Sequence, residues 1–271
     1  MSEANKLVKE LAKTFASSEN VQLHVQPINL GPGTAMIRAL DWALDTEEMV
    51  FVLEDDVFPN SFAADFLNSI APMVRNSKSL IATGRSPITE SSPLLLLTSG
   101  ISKFALTNGW LIHREVWLEF KKHLQEPLIK ELFIYLMRHP LSIRKEHFYF
   151  YSAAFLSRNK LLSAWDTQFV FFCLIKQIKT ITPNRSCVEI RGVDQVATNT
   201  IATPGSTDEV FWKADLIAPS KAISLDGSTQ KYYDHLIIEN IYHIRKRHFL
   251  SPLKSYLRIL KDKSVKFYEL L

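Results

Sequence analysis

The apolar run Met49-Val-Phe-Val-Leu53, closed by Glu54-Asp55-Asp56, constrains the fold of this chain more than any other stretch. A short, unbroken apolar run has the pattern of a strand buried on both faces of a parallel sheet. Helical spacing surrounds it. Leu7, Val8, Leu11, Ala12 and Phe15 predict a helix over 5–16, and Ala35/Met36, Ala39/Leu40 and Ala43/Leu44 predict a second from Thr34. Phe62, Phe66, Ile70 and Val74 predict a third, with Asn60 as its N-cap after the Pro59-Asn60 break. Val21, Leu23 and Val25 alternate with polar residues and predict a strand ending near Pro27, before the turn-forming Asn29-Leu-Gly-Pro-Gly33. Ser79-Leu-Ile-Ala-Thr83 predicts another strand. This α-β-α-β-α-β order is the alternation of a doubly wound α/β sheet, in which ligands sit beyond the carboxyl ends of the strands. The acidic triplet occupies such an end.

Residues 85–165 are less regular, with Trp110, Trp117, Trp165 and a predicted helix over 129–137. No internal repeat or low-complexity linker interrupts the chain, so residues 1–240 are expected to form one domain. Residues 241–271 hold eight Lys/Arg against Asp262 and Glu269, a charge of +6 within an overall +4. The body is therefore mildly acidic, which argues against a nucleic-acid binder. The longest apolar run, Phe169–Ile175, is seven residues, and a membrane-spanning helix needs about 18. The opening Met-Ser-Glu-Ala-Asn-Lys lacks signal-peptide architecture, and Cys173 and Cys187 make no disulfide framework, so a cytoplasmic location is expected.

Carboxylates gathered at a strand end repel one another. Two unit charges ~4 Å apart cost roughly 1 kcal/mol in water and about 4 at an effective dielectric of 20. Solvent relieves this in a plain acidic turn; a cation relieves it in a binding site. Mg²⁺ and Mn²⁺ take one or two carboxylates and complete their shell with water and substrate phosphates. Such a metal neutralises a diphosphate leaving group. Both readings fit the three letters.

The stretch Asn29-Leu-Gly31, the helix with Trp42, and Val50-Phe-Val-Leu-Glu-Asp-Asp-Val-Phe-Pro-Asn-Ser-Phe62 resembles GT-A-fold nucleotide-diphosphosugar transferases. It is similar to bacterial sugar transferases and, more distantly, to the N-acetylglucosaminyltransferase I family. The resemblance continues through Asn108-Gly-Trp110, Arg114-Glu-Val-Trp117, Ala164-Trp-Asp-Thr-Gln168, Pro183-Asn184 and Ala197-Thr-Asn-Thr200, in the family's order. It implies a Rossmann-like GT-A fold and a metal-dependent glycosyltransferase using a nucleotide-sugar donor, a UDP-sugar above all. The acceptor would be a glycan or a lipid-linked hydroxyl in surface-polysaccharide assembly. By the same resemblance Asp56 is the metal ligand, for Mn²⁺ or Mg²⁺, and Asn29, Gly31, Glu54 and Asp55 lie on the donor side. Asp166 is the general base of an inverting displacement, and Trp110 and Trp165 face the acceptor. The local alternatives are an N-cap role for Asp166 and core packing for the tryptophans. His113 reads as surface or packing. Asn199 stands where relatives often carry His, and supplies only a neutral oxygen.

Family members open with two strands that this sequence does not contain, so the fold is expected to be N-terminally incomplete. That favours, as the alternative to an enzyme, a noncatalytic binding protein on the same scaffold. A third reading is a glycoside hydrolase with paired carboxylates. In the tail, Leu253, Tyr256, Leu257 and Leu260 share a helical face, with Lys254, Arg258, Lys261 and Lys263 mostly elsewhere. Such a helix either docks on the body or lies on an anionic membrane, at the inner face of the plasma membrane.

Overall fold

The structure is a computed structural model that describes residues 3–16, 21–88, 97–138, 145–160, 164–191, 215 and 217–242. By its internal contacts the chain divides into two compact units, Met1–Trp42 and Ala43–Leu271. The predicted tail helix beyond Tyr242 and the Ala197–Thr200 motif lie outside the described residues.

The first unit holds α1 (Glu3–Phe15) and most of α2 (Pro32–Thr46), both where the helical spacing places them. The strand predicted over 21–25 does not form. Val21, Leu23 and Val25 remain exposed, and alternation stabilises a strand only when a partner and a buried face receive it. His24 stacks instead on Trp42, ring centroids 5.2 Å apart.

The second unit is α/β. Its five-stranded sheet has the order β1 (Met49–Val52), β5 (Trp110–His113), β3 (Leu80–Thr83), β6 (Lys179–Thr182) and β4 (Gly100–Ser102). Only β3 and β6 pair in parallel; β5 runs antiparallel between β1 and β3, and β4 is antiparallel to β6. The sheet is thus α/β as expected but mixed, and β1, whose pattern suggests a parallel sheet, has an antiparallel neighbour. β1 and β3 still share a direction, as the helix-strand alternation requires, but an antiparallel strand has been inserted between them. β1 is also an edge strand of half-buried residues, not a central one. A second ribbon pairs β2 (Val57–Pro59) with β7 (Val188–Ile190), antiparallel.

Helix α3 (Ala63–Arg75) covers one face of the sheet. Its Phe66, Ile70 and Val74, the residues whose spacing predicts the helix, pack with Ala82, Leu111 and Ile181. The helix starts two residues later than Asn60 would cap it. The Asn60 side chain accepts the N–H of Phe62 at 3.0 Å, holding the turn ahead of the helix. On β5 the side chains alternate, so Trp110 faces away from Leu111 and packs on Phe169 of α7 (Asp166–Lys176), centroids 4.9 Å apart. Helices α4 (Arg114–Gln125), α5 (Leu128–Arg138) and α6 (Lys145–Arg158) pack against α7. Helix α8 (Gly227–Leu236) covers β4 and continues into a π-helical turn, Ile237–Ile241. Among the described residues no helix is long and apolar enough to cross a membrane.

Candidate active site

Strand register gathers one end of the sheet. Trp110 at the start of β5 pairs with both Val52 at the end of β1 and Thr83 at the end of β3. The residues following β1 and β3, and those preceding β5, therefore meet there: Glu54-Asp55-Asp56, Gly84-Arg85 and Asn108-Gly109. The triplet sits in a tight turn, with the Val57 N–H donating to the Glu54 carbonyl at 3.0 Å. The next strand is tied down by the Arg191 N–H, which donates to the Asp56 carbonyl at 2.8 Å. The turn is thus anchored on both sides while the carboxylates of Asp55 and Asp56 stay exposed.

Two glycines let the backbones close in. The Gly84 N–H donates to the Gly109 carbonyl at 2.6 Å, and the Cys187 N–H donates to the Gly84 carbonyl at 2.8 Å. Gly109 has φ +60°, and a Cβ built there would meet Val188 Cγ1 at 2.7 Å. Asn108 follows the same logic of support. Its Oδ1 accepts from Arg85 Nη1 at 2.7 Å and its carbonyl accepts from Thr83 Oγ1 at 3.1 Å. Arg85 is buried, and that burial pulls its guanidinium down to about 10. Sequence reasoning does not single out this position, although a charged residue close behind an apolar strand is the same signal that marks the triplet.

Electrostatics link the triplet to a residue 112 positions away. Glu54 is raised from 4.5 to about 7, first by burial and then by the charges of Asp56, Asp166 and Asp55. Asp166 therefore lies within interaction range of the strand-end cluster. Its own carboxyl is raised by burial, against the pull of the backbone N–H groups of Asp166 and Thr167. Asp166 is the first residue of α7, and the N-cap position belongs to Trp165, which makes no side-chain capping bond. The Asp166 carboxyl nevertheless meets the first N–H groups of the helix, so a helix-end role for this side chain stands beside the catalytic one. Tyr149 and Tyr242, which no sequence pattern marks, feel the Asp166 charge and are raised chiefly by burial.

The other expected site residues fare unevenly. Trp110 is fully buried and Trp165 nearly so, their rings 6.2 Å apart. Packing, the alternative use of these rings, is what the structure shows: Trp110 packs against Trp165 and Phe169 and exposes no face for stacking on a sugar. Asn29 and Gly31 belong to the first unit, where Asn29 Oδ1 accepts the Gly31 N–H at 2.8 Å and Gly31 has φ +71°. His113 is an internal brace. Its Nδ1 accepts the Glu115 N–H at the start of α4 and its Nε2 meets Glu48 Oε1 at 3.3 Å. Asn184 is likewise structural, its Oδ1 accepting the Ser220 N–H at 2.7 Å.

A divalent cation fits the chemistry of this cluster in one form. Asp56 is raised by partial burial and then by Asp55, against a backbone hydrogen bond that lowers it, and a cation would relieve the repulsion between the two carboxylates. Among the described residues no three His, Cys, Asp or Glu side chains converge as a ready-made metal cage. A cation here would take one or two carboxylate oxygens and complete its shell with water and phosphate, as Mg²⁺ and Mn²⁺ do. No protein-family model matches the sequence, and no curated protein matches it significantly.

Proposed function

We propose that the chain is a metal-dependent glycosyltransferase of Rossmann-like GT-A type, moving a sugar from a nucleotide diphosphate to a glycan or lipid-linked hydroxyl. The observation that supports this reading is that the charge of Asp166 helps to raise Glu54 in the turn at the carboxyl end of β1. Each half is ordinary alone. Together they supply a diphosphate-side acid cluster and a separate carboxylate raised by burial, the two functions that an inverting transfer needs.

In this reading Asp56 supplies an oxygen to the metal, which when bound neutralises the diphosphate leaving group. Glu54 and Asp55 orient the donor. The Asp166 carboxylate accepts the proton of the acceptor hydroxyl as that oxygen bonds to the anomeric carbon and the carbon–oxygen bond to the diphosphate breaks. Burial that raises Asp166 makes it a stronger base than a free carboxylate. Arg85, steadied by Asn108, adds positive charge at the same end of the sheet.

The test is calorimetric titration of UDP into the full chain with and without Mn²⁺. Binding that requires Mn²⁺ and is lost in Asp56→Asn supports the reading. No binding by folded protein would leave the noncatalytic scaffold, and metal-free hydrolysis of glycans would favour a glycosidase instead.

A further inference from the structure

We propose that the outer edge of β1 receives an extended segment of a partner protein as an added strand, one with Lys or Arg on both sides of a short apolar centre. This inference does not depend on the transferase reading.

Register decides which backbone groups of β1 are free. The Arg114 N–H donates to the Glu48 carbonyl at 2.8 Å, which puts residues 48, 50 and 52 on the bonded side of the ladder with β5. In a trans peptide each N–H points away from the carbonyl before it. The N–H groups of Met49, Phe51 and Leu53, with the carbonyls of Met49 and Phe51, therefore point off the sheet. Among the described residues none of these groups has a hydrogen-bond partner.

The opposite edge of the same sheet is closed. Beside β4, the Ser99 N–H donates to the Ala222 carbonyl at 3.0 Å and the Ser224 N–H donates to the Ser99 carbonyl at 2.8 Å. Past its other end the Lys103 N–H donates to Asp234 Oδ1 at 2.9 Å. β1 has no such closure, and its Met-Val-Phe-Val sequence carries none of the Lys, Pro or bulge that blunts an exposed edge. Strand addition supplies main-chain bonds to an edge of this kind, and flanking side chains choose the partner.

Charge selects the occupant. Glu47, Asp55 and Asp56 are exposed at the two ends of β1 and make no ion pair among the described residues, whereas Glu48 is paired with Arg75 and His113. A second copy pairing antiparallel about Phe51 would set Glu47 of each chain opposite Asp55 of the other, and like charges directly opposite destabilise a ladder. An added strand with Lys or Arg at both ends meets opposite charge at both ends instead.

The probe is the peptide Lys-Lys-Thr-Val-Thr-Val-Thr-Lys-Lys, titrated into the full chain in chelator, with a Glu-flanked peptide of the same centre as control. Calorimetry should show saturable binding of the Lys-flanked peptide, about tenfold tighter than the control. Amide exchange should be fast at Met49, Phe51 and Leu53 in the free chain and slow once peptide is bound, with Val50 and Val52 little changed. Leu53→Pro removes one outward N–H and spares the β1–β5 ladder, so it should weaken the Lys-flanked peptide about tenfold. Glu47→Lys, at an exposed position, should narrow the preference between the two peptides about threefold, and this readout stands even if Leu53→Pro does not fold. Equal affinity for the two peptides, or slow exchange at Met49 and Phe51 in the free chain, overturns the proposal. Protection that grows with protein concentration alone would give the edge to a second copy and overturn it as well.

Discussion

Glu54→Gln should make the protein more stable at neutral and alkaline pH, and the size of the gain follows from the acidic turn. The folded chain holds the Glu54 proton up to about 7, whereas an ordinary glutamate releases it near 4.5. Between those values the folded state binds more protons than the unfolded one, so stability falls as pH rises through this window and levels off above it. A tenfold change in proton affinity is worth about 1.4 kcal/mol, which sets a ceiling of about 3 kcal/mol on the penalty. Glu54 is half-exposed, and solvent screening reduces that to about 1–2 kcal/mol. Glutamine keeps the shape and removes the charge. Urea denaturation of wild type and variant, run in steps from about pH 4.5 to about pH 8, reads the difference. The variant should match wild type at the acid end, gain about 1–2 kcal/mol at the alkaline end, and show a flatter profile. Equal or lower stability of the variant at alkaline pH, with an unchanged slope, would refute the crowding of carboxylates at this turn.

Asp166→Asn should lower the Glu54 transition below about 7 by removing one of the charges that raise it, a change visible by carboxyl-carbon NMR. In the proposed reaction the same variant should lose at least about a hundredfold in transfer rate while keeping Mn²⁺-dependent UDP binding. Gly109→Ala should cost about 2 kcal/mol or more in urea denaturation, because its φ of +60° and the Val188 side chain both oppose a Cβ. Adding Val188→Ala should recover the steric part only. Phe66→Ala, at the centre of the α3 contact with the sheet, should cost about 3–5 kcal/mol by the same measurement.

Local pattern carries the fold as far as single elements go. Phe66, Ile70 and Val74 predict α3 because one helix face meets one sheet, and that relation is written at i, i+4, i+8. β1 and β3 are visible for the same reason: a short apolar run has few other places to go. The pairing between strands is not visible. Trp110–His113 sits between β1 and β3 through backbone hydrogen bonds that any side chains could accompany, so the antiparallel insertion leaves no mark in periodicity. Val21–Val25 shows the converse, a strand pattern without a partner to complete it. Of the site, the triplet is legible because charge at a strand end is locally odd. Asp166 is a candidate through resemblance, and its proximity to Glu54 is a property of packing between distant segments. Arg85 and the two tyrosines are ordinary letters until the chain is folded around them.

Trp165 immediately precedes Asp166, and its ring rests near Trp110, which is paired in turn with Val52, two residues before Glu54. The chain path from one carboxylate to the other therefore runs through a tilted pair of indole rings. Substitutions among these rings act on that path: trimming or enlarging one of them retunes the acidity of Glu54 without touching an ionisable group. Selection on that acidity would be felt as selection on hydrophobic volume, at positions that a survey of charged residues would pass over.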